Sequence, residues 1–238
     1  MRIALMIICN ILLVPYYLIR TTWLGKHSTK EKAFAFIQHV AHIANRSGRV
    51  RVISKGLENL PEKDGFVLFP NHQGMYDVIV FLAEFPRPFS FVSKKEVRNL
   101  PFVKQVMLAT KSLSIDRGDL RQSMHVIQEM TRRVENGDNF LIFAEGTRSR
   151  MGNKMNAMKG GSFKSAVKAK APIVPVALMD SFVPFDENSI RPVTVRVIYL
   201  PPLYYEEYKD LTTTEIAAEV RARIEAKIAD EQAKPSMA

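Results

Sequence analysis

The chain has 238 residues, 47% apolar and 24% charged, a globular composition that excludes disorder and suits one sizeable α/β domain with a short appendage. Its net charge of +10 calls for an anionic partner: nucleic acid, a membrane surface or a phosphorylated substrate. The lone Cys9 excludes an intrachain disulfide and a Cys-rich metal site, and within an apolar segment its thiol stays protonated and inert.

In chain order, residues 3–19 are almost wholly apolar, interrupted by Asn10 and Pro15 and flanked by Arg2 and Arg20. At about 17 residues the run sits at the lower limit for crossing a bilayer. Tyr16, Tyr17 and Trp23 lie at its end, where amphipathic aromatics favour the headgroup level. No small-x-small cleavage site follows, which argues against a secretory signal. The reading is membrane association, with a span and a shallow insertion both open. Ser28-Thr-Lys-Glu31 has the form of a capping box opening a helix to about Asn45, with an apolar stripe through Ala33, Phe36, Ile37, Val40, Ala41 and Ala44. His39 and His42 lie on or beside it as packing or interfacial residues, since no third metal ligand sits at usable spacing. Gly48 stops the helix and marks the boundary between the appendage and a core over residues 48–238.

Strands are predicted at 49–54, 65–69, 89–93, 108–115, 140–144, 173–178 and 193–200, from alternation or short apolar runs. Between them come an apolar helix from Asp77 and a helix over residues 120–135. The latter places Leu120, Met124, Ile127, Met130 and Val134 on one face, with Gly137 as its stop and His125 on its surface. A helix opening at Lys159-Gly-Gly161 carries Lys164, Lys168 and Lys170. Thr212-Thr-Thr-Glu215 caps a final helix with Ile216, Val220, Ile224 and Ile228 inward. This alternation predicts an α/β fold: a mixed sheet flanked by helices, with functional loops at the strands' carboxyl ends.

Three such loops carry the chemistry. In Asn71-His72-Gln-Gly-Met-Tyr-Asp77 a strand breaks into a turn before a helix. Across that turn a carboxylate reaches the imidazole and fixes its tautomer, making His72 a general base at neutral pH. A locally bonded turn histidine is the competing reading. The second loop holds Asp116 and Arg117, the third Glu145-Gly-Thr-Arg-Ser149. Guanidinium groups such as Arg117 and Arg148 suit a phosphate, Gly146 lets backbone approach a ligand, and Thr147 and Ser149 add donors. A simple Glu145–Arg148 ion pair on a solvated loop is the alternative. Neither a Gly-x-Ser-x-Gly elbow nor a reactive cysteine is present, so a covalent intermediate on the protein is not expected.

Asn71-His72-x-x-x-x-Asp77, Ile115-Asp-Arg117, Glu145-Gly-Thr-Arg-Ser149 and Ala171-Pro-Ile-Val-Pro-Val176 stand in the order found in the glycerolipid acyltransferases. The chain resembles the bacterial 1-acylglycerol-3-phosphate acyltransferases, the first motif being their HX4D signature. It departs from them at Lys111, where the family usually has glycine, which bears on the local turn and on how Arg117 is presented. The resemblance implies His72 as general base and Asp77 as its orienting partner, with the acceptor phosphate held by Arg148 and Arg117. Glu145, Gly146 and Thr147 belong to the same substrate-binding loop, and Lys94 (or Lys95, one register on) faces the phosphate. It further implies that residues 1–47 form a membrane-associating two-helix element on the cytoplasmic face of the cell membrane. The implied reaction moves an acyl group from a thioester of acyl carrier protein or coenzyme A to the sn-2 hydroxyl of lysophosphatidate, giving phosphatidic acid for phospholipid biosynthesis. No metal or bound cofactor is implied. Rival readings are another acceptor, such as glycerol-3-phosphate, or a non-catalytic basic lipid-binding protein. Nucleic-acid binding is disfavoured because the cations are scattered rather than interleaved with stacking aromatics.

Overall fold

A computed structural model describes residues 1–116 and 118–234. Seven strands, β1 (Val50–Lys55), β2 (Val67–Pro70), β3 (Phe89–Lys94), β4 (Leu113–Ile115), β5 (Asn139–Leu141), β6 (Ile173–Met179) and β7 (Val193–Tyr199), form one sheet in the order β1-β7-β6-β2-β5-β3-β4. Neighbours run parallel except β6 and β7, so the sheet is mixed, as expected. β2 and β6 are apolar along their whole length and buried on both faces, the pattern of strands covered by helices on each side. Their side chains alternate. Leu68, Val174, Val176 and Leu178 enter one core, whereas Val67, Phe69, Ile173, Ala177 and Met179 enter the other.

The first core is closed by α3 (Lys30–Ser47), α4 (Asp77–Glu84) and α5 (Val103–Ala109), through Phe34, Ile37, Ala41, Val80, Phe81 and Met107. The second is closed by α6 (Leu120–Glu135), α7 (Lys164–Lys168) and α10 (Thr213–Ala233), where Ile216, Val220, Ile224 and Ile228 are buried as their spacing predicts. The capping box of α10 is present. Thr212 Oγ1 accepts from Glu215 N at 3.3 Å and Glu215 Oε2 accepts from Thr212 N at 2.7 Å. Short helices α8 (Val183–Asp186) and α9 (Tyr205–Tyr208) complete the chain.

Several expectations change. The apolar stretch 3–19 is broken: α1 (Arg2–Cys9) and α2 (Val14–His27) meet at 86°. Asn10 makes the break, its Nδ2 donating to Met6 O and Ser47 Oγ at 2.8 and 2.9 Å, while Pro15 sits in the first turn of α2, where its missing N–H costs nothing. Among the described residues no single helix is long and apolar enough to cross a membrane; the bent pair qualifies on length and composition only. Arg2, read as a flank, is buried and clasps Gly48 O and Arg191 O at 2.5 and 2.8 Å. The cap of α3 is Thr29, one residue later than the box expected at Ser28. Residues 103–109 are helical, leaving only Leu113–Ile115 as strand. Leu120 and Met124 on α6 are exposed, and Val126 joins Met130 and Val134 inside. Lys111 takes the left-handed φ of 54° that its glycine-like place demands, and its Nζ bonds Gly25 O at 2.6 Å.

Candidate active site

The site forms at the carboxyl ends of β2, β5 and β6, where an open α/β sheet offers a crevice. Asn71 follows the last residue of β2 and is anchored sideways: its Nδ2 donates to Leu178 O and its Oδ1 accepts from Leu178 N, at 3.0 and 2.6 Å. The backbone then turns, and Asp77 opens α4. Asp77 is fully buried, and its carboxylate gathers donors from the turn: Gln73 N at 2.7 Å and Gly74 N at 3.0 Å. Placement in the first turn of a helix further favours the anion.

His72 Nδ1 lies 2.7 Å from Asp77 Oδ2. The carboxylate has no proton to give, so Nδ1 carries the hydrogen and Nε2 presents its lone pair. Nε2 makes no hydrogen bond among the described residues, and the side chain is 20% exposed. The ring stacks on Phe143, centroids 4.1 Å apart and planes inclined by 22°. Its tautomer, orientation and access therefore suit proton abstraction by Nε2.

The loop after β5 holds this turn from the other side. Glu145 is buried, with Oε1 accepting from His72 N at 2.6 Å and Oε2 from Asn156 N at 2.7 Å. Burial pushes its carboxyl pKa up, and the two backbone donors pull it back in part. Ser149 N donates to His72 O at 2.8 Å. Both backbone polar groups of His72 are thus clamped by this one loop. Glu145 does not pair with Arg148, and with both oxygens on backbone amides it shapes the loop instead of meeting a ligand. Gly146 turns the chain at a φ of 76°, its N–H on Phe143 O at 3.0 Å.

Thr147 is exposed and Arg148 half-buried. Arg148 has no ion pair or hydrogen bond from its side chain among the described residues. Lys94 ends β3, exposed and likewise without a partner, whereas Lys95 binds Asp116 Oδ2 at 2.5 Å. β3 lies two strands from β2 in the parallel run β2-β5-β3, so Lys94 stands about 10 Å from the His72 strand along the same edge. Arg117 lies outside the described residues.

A sequence model of the acyltransferase family matches residues 51–179, more than half of the chain and spanning every motif above. The chain belongs to the acyltransferase family. Among curated relatives it is 30% identical over 141 residues to the 1-acyl-sn-glycerol-3-phosphate acyltransferase of Borreliella burgdorferi, covering 59% of this chain and 56% of that one. With the enzyme of the same name from Salmonella typhimurium it shares 32% over 165 residues, covering 69% and 67%. With that from Chlamydomonas reinhardtii it shares 33% over 174 residues, covering 70% and 52%. The chain therefore spans between about half and two thirds of the length of these relatives. Among solved structures, the 1-acyl-sn-glycerophosphate acyltransferase PlsC from Thermotoga maritima superposes with a TM-score of 0.72, covering 99% of this chain and 100% of that chain at 23% identity. That likeness establishes the family's fold here.

Within this fold the sequence motifs leave part of the wiring unassigned. Gln73 Nε2 donates to Asn153 Oδ1 at 2.8 Å, and Asn153 Nδ2 donates to Asp180 Oδ1 at 2.9 Å. Asp180 also pairs with Arg196 at 2.9 Å. Ser181, fully buried, reaches Asp77 Oδ1 with its hydroxyl at 2.7 Å. The one available signal was positional: Asp180 and Ser181 directly follow a wholly apolar strand and so stand on the sheet's carboxyl edge. The backbone amides of His72, Gln73 and Gly74 are all taken, by Glu145 and Asp77.

Proposed function

We propose that this acyltransferase moves an acyl group from a thioester to the sn-2 hydroxyl of 1-acyl-glycerol-3-phosphate, giving phosphatidic acid. The observation that carries the reading is a fixed imidazole with an open nitrogen on a turn clamped by the loop that bears Arg148, whose guanidinium finds no partner among the described residues. Arg148 directly precedes Ser149, whose N–H is bound to His72 O at 2.8 Å. Arg148 and Lys94 hold the acceptor phosphate, and the nearby hydroxyl gives its proton to His72 Nε2 as its oxygen attacks the thioester carbon. The imidazolium formed is stabilised by Asp77 through Nδ1–H. Collapse of the tetrahedral intermediate breaks the C–S bond, and the thiolate takes the proton back from Nε2. All protons are accounted for without a metal or cofactor, the acyl carrier protein or coenzyme A thioester entering as substrate. The curated relatives are named as 1-acyl-sn-glycerol-3-phosphate acyltransferases, which supports this acceptor.

A lysolipid acceptor also requires a place at the membrane, since lifting its acyl chain into water costs about 0.8 kcal/mol per methylene. In our reading α1 and α2 supply it on the cytoplasmic face of the cell membrane. Their outward side shows Ile8, Ile11, Leu12, Tyr16, Ile19 and Trp23, with Leu12 89% and Ile19 71% exposed. Exposed apolar area of this extent, bordered by Arg20 and Lys26, fits an anionic lipid surface.

The test is direct. Purified protein in detergent, offered labelled acyl-carrier-protein or coenzyme A thioesters with lysophosphatidate, is expected to release phosphatidate. Product from glycerol-3-phosphate or another lysolipid, with none from lysophosphatidate, would replace the acceptor. Absence of transfer to any acceptor would return the protein to a lipid-binding role.

A further inference from the structure

We infer that Ser181 is a positioning residue for acyl transfer, holding the Asp77 carboxylate in the orientation that binds His72 Nδ1. The inference rests on the general-base reading of His72 given above. It starts from an accounting of hydrogens around one buried anion. Asp77 Oδ2 accepts from His72 Nδ1 and Gln73 N, both at 2.7 Å, and from Gly74 N at 3.1 Å. Oδ1 accepts from Gly74 N at 3.0 Å and Ser181 Oγ at 2.7 Å. All of these except Ser181 come from the turn between β2 and α4; Ser181 comes from the end of β6, more than a hundred residues away along the chain.

The direction of the Ser181 hydroxyl follows from its neighbours. Asp180 N donates to Asn153 Oδ1 at 2.9 Å, which fixes the Asn153 amide. Gln73 must then donate to that oxygen through Nε2, so Gln73 Oε1 faces Ser181 and accepts its N–H at 2.9 Å. Ser181 Oγ has one proton and two acceptors, Asp77 Oδ1 and Gln73 Oε1, the latter at 2.8 Å. The carboxylate is charged and is the stronger acceptor. Ser181 thus spends its proton on Asp77, while its backbone holds Gln73 beside the turn.

The consequence is rotational. The turn's amides alone permit the carboxylate to swing about its Cβ–Cγ bond, because Gly74 N already straddles both oxygens. A donor from β6 pins Oδ1 and leaves Oδ2 aimed at Nδ1. Without that donor the carboxylate can turn away from Nδ1, which weakens its hold on a protonated His72. Other charged groups around this turn are Glu145 and Arg148 on the loop after β5, Asp180 paired with Arg196, and Asp186 of α8, whose carboxylate lies beside Gly74. None of them changes when Ser181 is altered.

The experiment uses full-length protein with Ser181→Ala. Two quantities are read: kcat and KM for both substrates, and the pH midpoint for carbethoxylation of His72 by diethylpyrocarbonate, followed by the mass of its peptide. We expect kcat to fall about tenfold with both KM values unchanged, from loss of one hydrogen bond to a charged group. We expect the His72 midpoint to fall by roughly half a pH unit as the carboxylate loses its aim at Nδ1. Unchanged kcat, or a lower kcat with an unmoved midpoint, would overturn the assignment and leave Ser181 as packing. Should Ser181→Ala lose its cooperative unfolding transition, Ser181→Cys, similar in size and a weak donor, decides by the same readouts. Carbethoxylation needs no substrate, so a wrong acceptor silences the phosphatidate assay yet leaves the midpoint shift intact.

Discussion

Around Asp77, donors from two distant parts of the chain converge on one buried carboxylate, and Glu145 spends both oxygens on backbone amides. Arg148 and Lys94, on the same edge of the sheet, carry full charges with no carboxylate against either among the described residues. Elsewhere cations such as Arg133, Arg196 and Lys30 do find partners, at 2.7, 2.9 and 3.0 Å. The contrast separates two tasks. A proton-transfer group must be held in one geometry before substrate arrives, so its network is complete. A binding group has to be left wanting, because a cation already neutralised gains little from a phosphate. Changes on the first side should therefore alter turnover, and stability too where the group is fully buried, and changes on the second affinity alone.

The largest effect is expected at the wired side. His72→Ala should lower kcat by about 10²–10⁴-fold with an unfolding midpoint near wild type, since the ring is only partly covered. Asp77→Asn should lose turnover similarly and also melt earlier, because an amide NH₂ then faces donors inside a buried site. A variant retaining more than about a tenth of the turnover for His72→Ala would remove general-base catalysis from the account.

Next is the unpaired side. Arg148→Ala should raise KM for lysophosphatidate about tenfold to a hundredfold, leaving KM for the thioester and the melting temperature unchanged. An equal rise for both substrates, or a lower melting temperature, would make Arg148 structural and collapse the distinction.

A smaller effect concerns the exposed apolar face of α1 and α2. Deleting residues 1–47 is unsuitable, because α3 supplies Phe34, Ile37 and Ala41 to the core and Asn45 accepts from the Tyr76 hydroxyl beside Asp77. Leu12→Glu with Ile19→Glu leaves that core intact. It should weaken vesicle binding by roughly tenfold or more, as each apolar side chain contributes about 1.5–3 kcal/mol when buried. Transfer to a short-chain soluble acceptor should persist. Unchanged flotation with anionic vesicles would disconnect these helices from the membrane.

The smallest is a pH effect at Glu145. Burial raises its carboxyl pKa, so between its unfolded and folded values the native state holds more protons than the unfolded one. Stability from this group is then complete below the unfolded value and declines as pH rises through the folded one. Glu145→Gln, which cannot ionise, should be less stable than wild type, with the gap narrowing as pH rises through the raised folded value of Glu145. A gap that widens would place the charged form as the favoured one and contradict the role of burial.

Much of this was readable in advance. Apolar runs at 173–178 and 193–200 and the box at Thr212–Glu215 are local patterns, and local patterns survive folding because strand period and cap geometry depend on near neighbours alone. The same holds for His72 and Asp77, which a single turn brings together. Misreadings arose where the deciding contact lay far along the chain. Leu120 and Met124 continue a helical stripe, yet both are exposed, and Val126 packs into the core instead. Residues 3–19 look continuous in composition, but Asn10 ties the break to Ser47 and Arg2 turns inward to Gly48.

Sequence by itself determined the approximate places of the seven strands, the order of the motifs and the pairing of His72 with Asp77, since each depends on residues within a few positions. Tertiary structure alone decided that Glu145 serves the His72 backbone instead of Arg148, and that Asn71 locks onto β6. It alone placed a serine from the end of that strand on Asp77. The physical reason is that a buried polar group must find a partner wherever the fold supplies one. Parallel strands adjacent in space are far apart in the chain, so these partners leave no local trace.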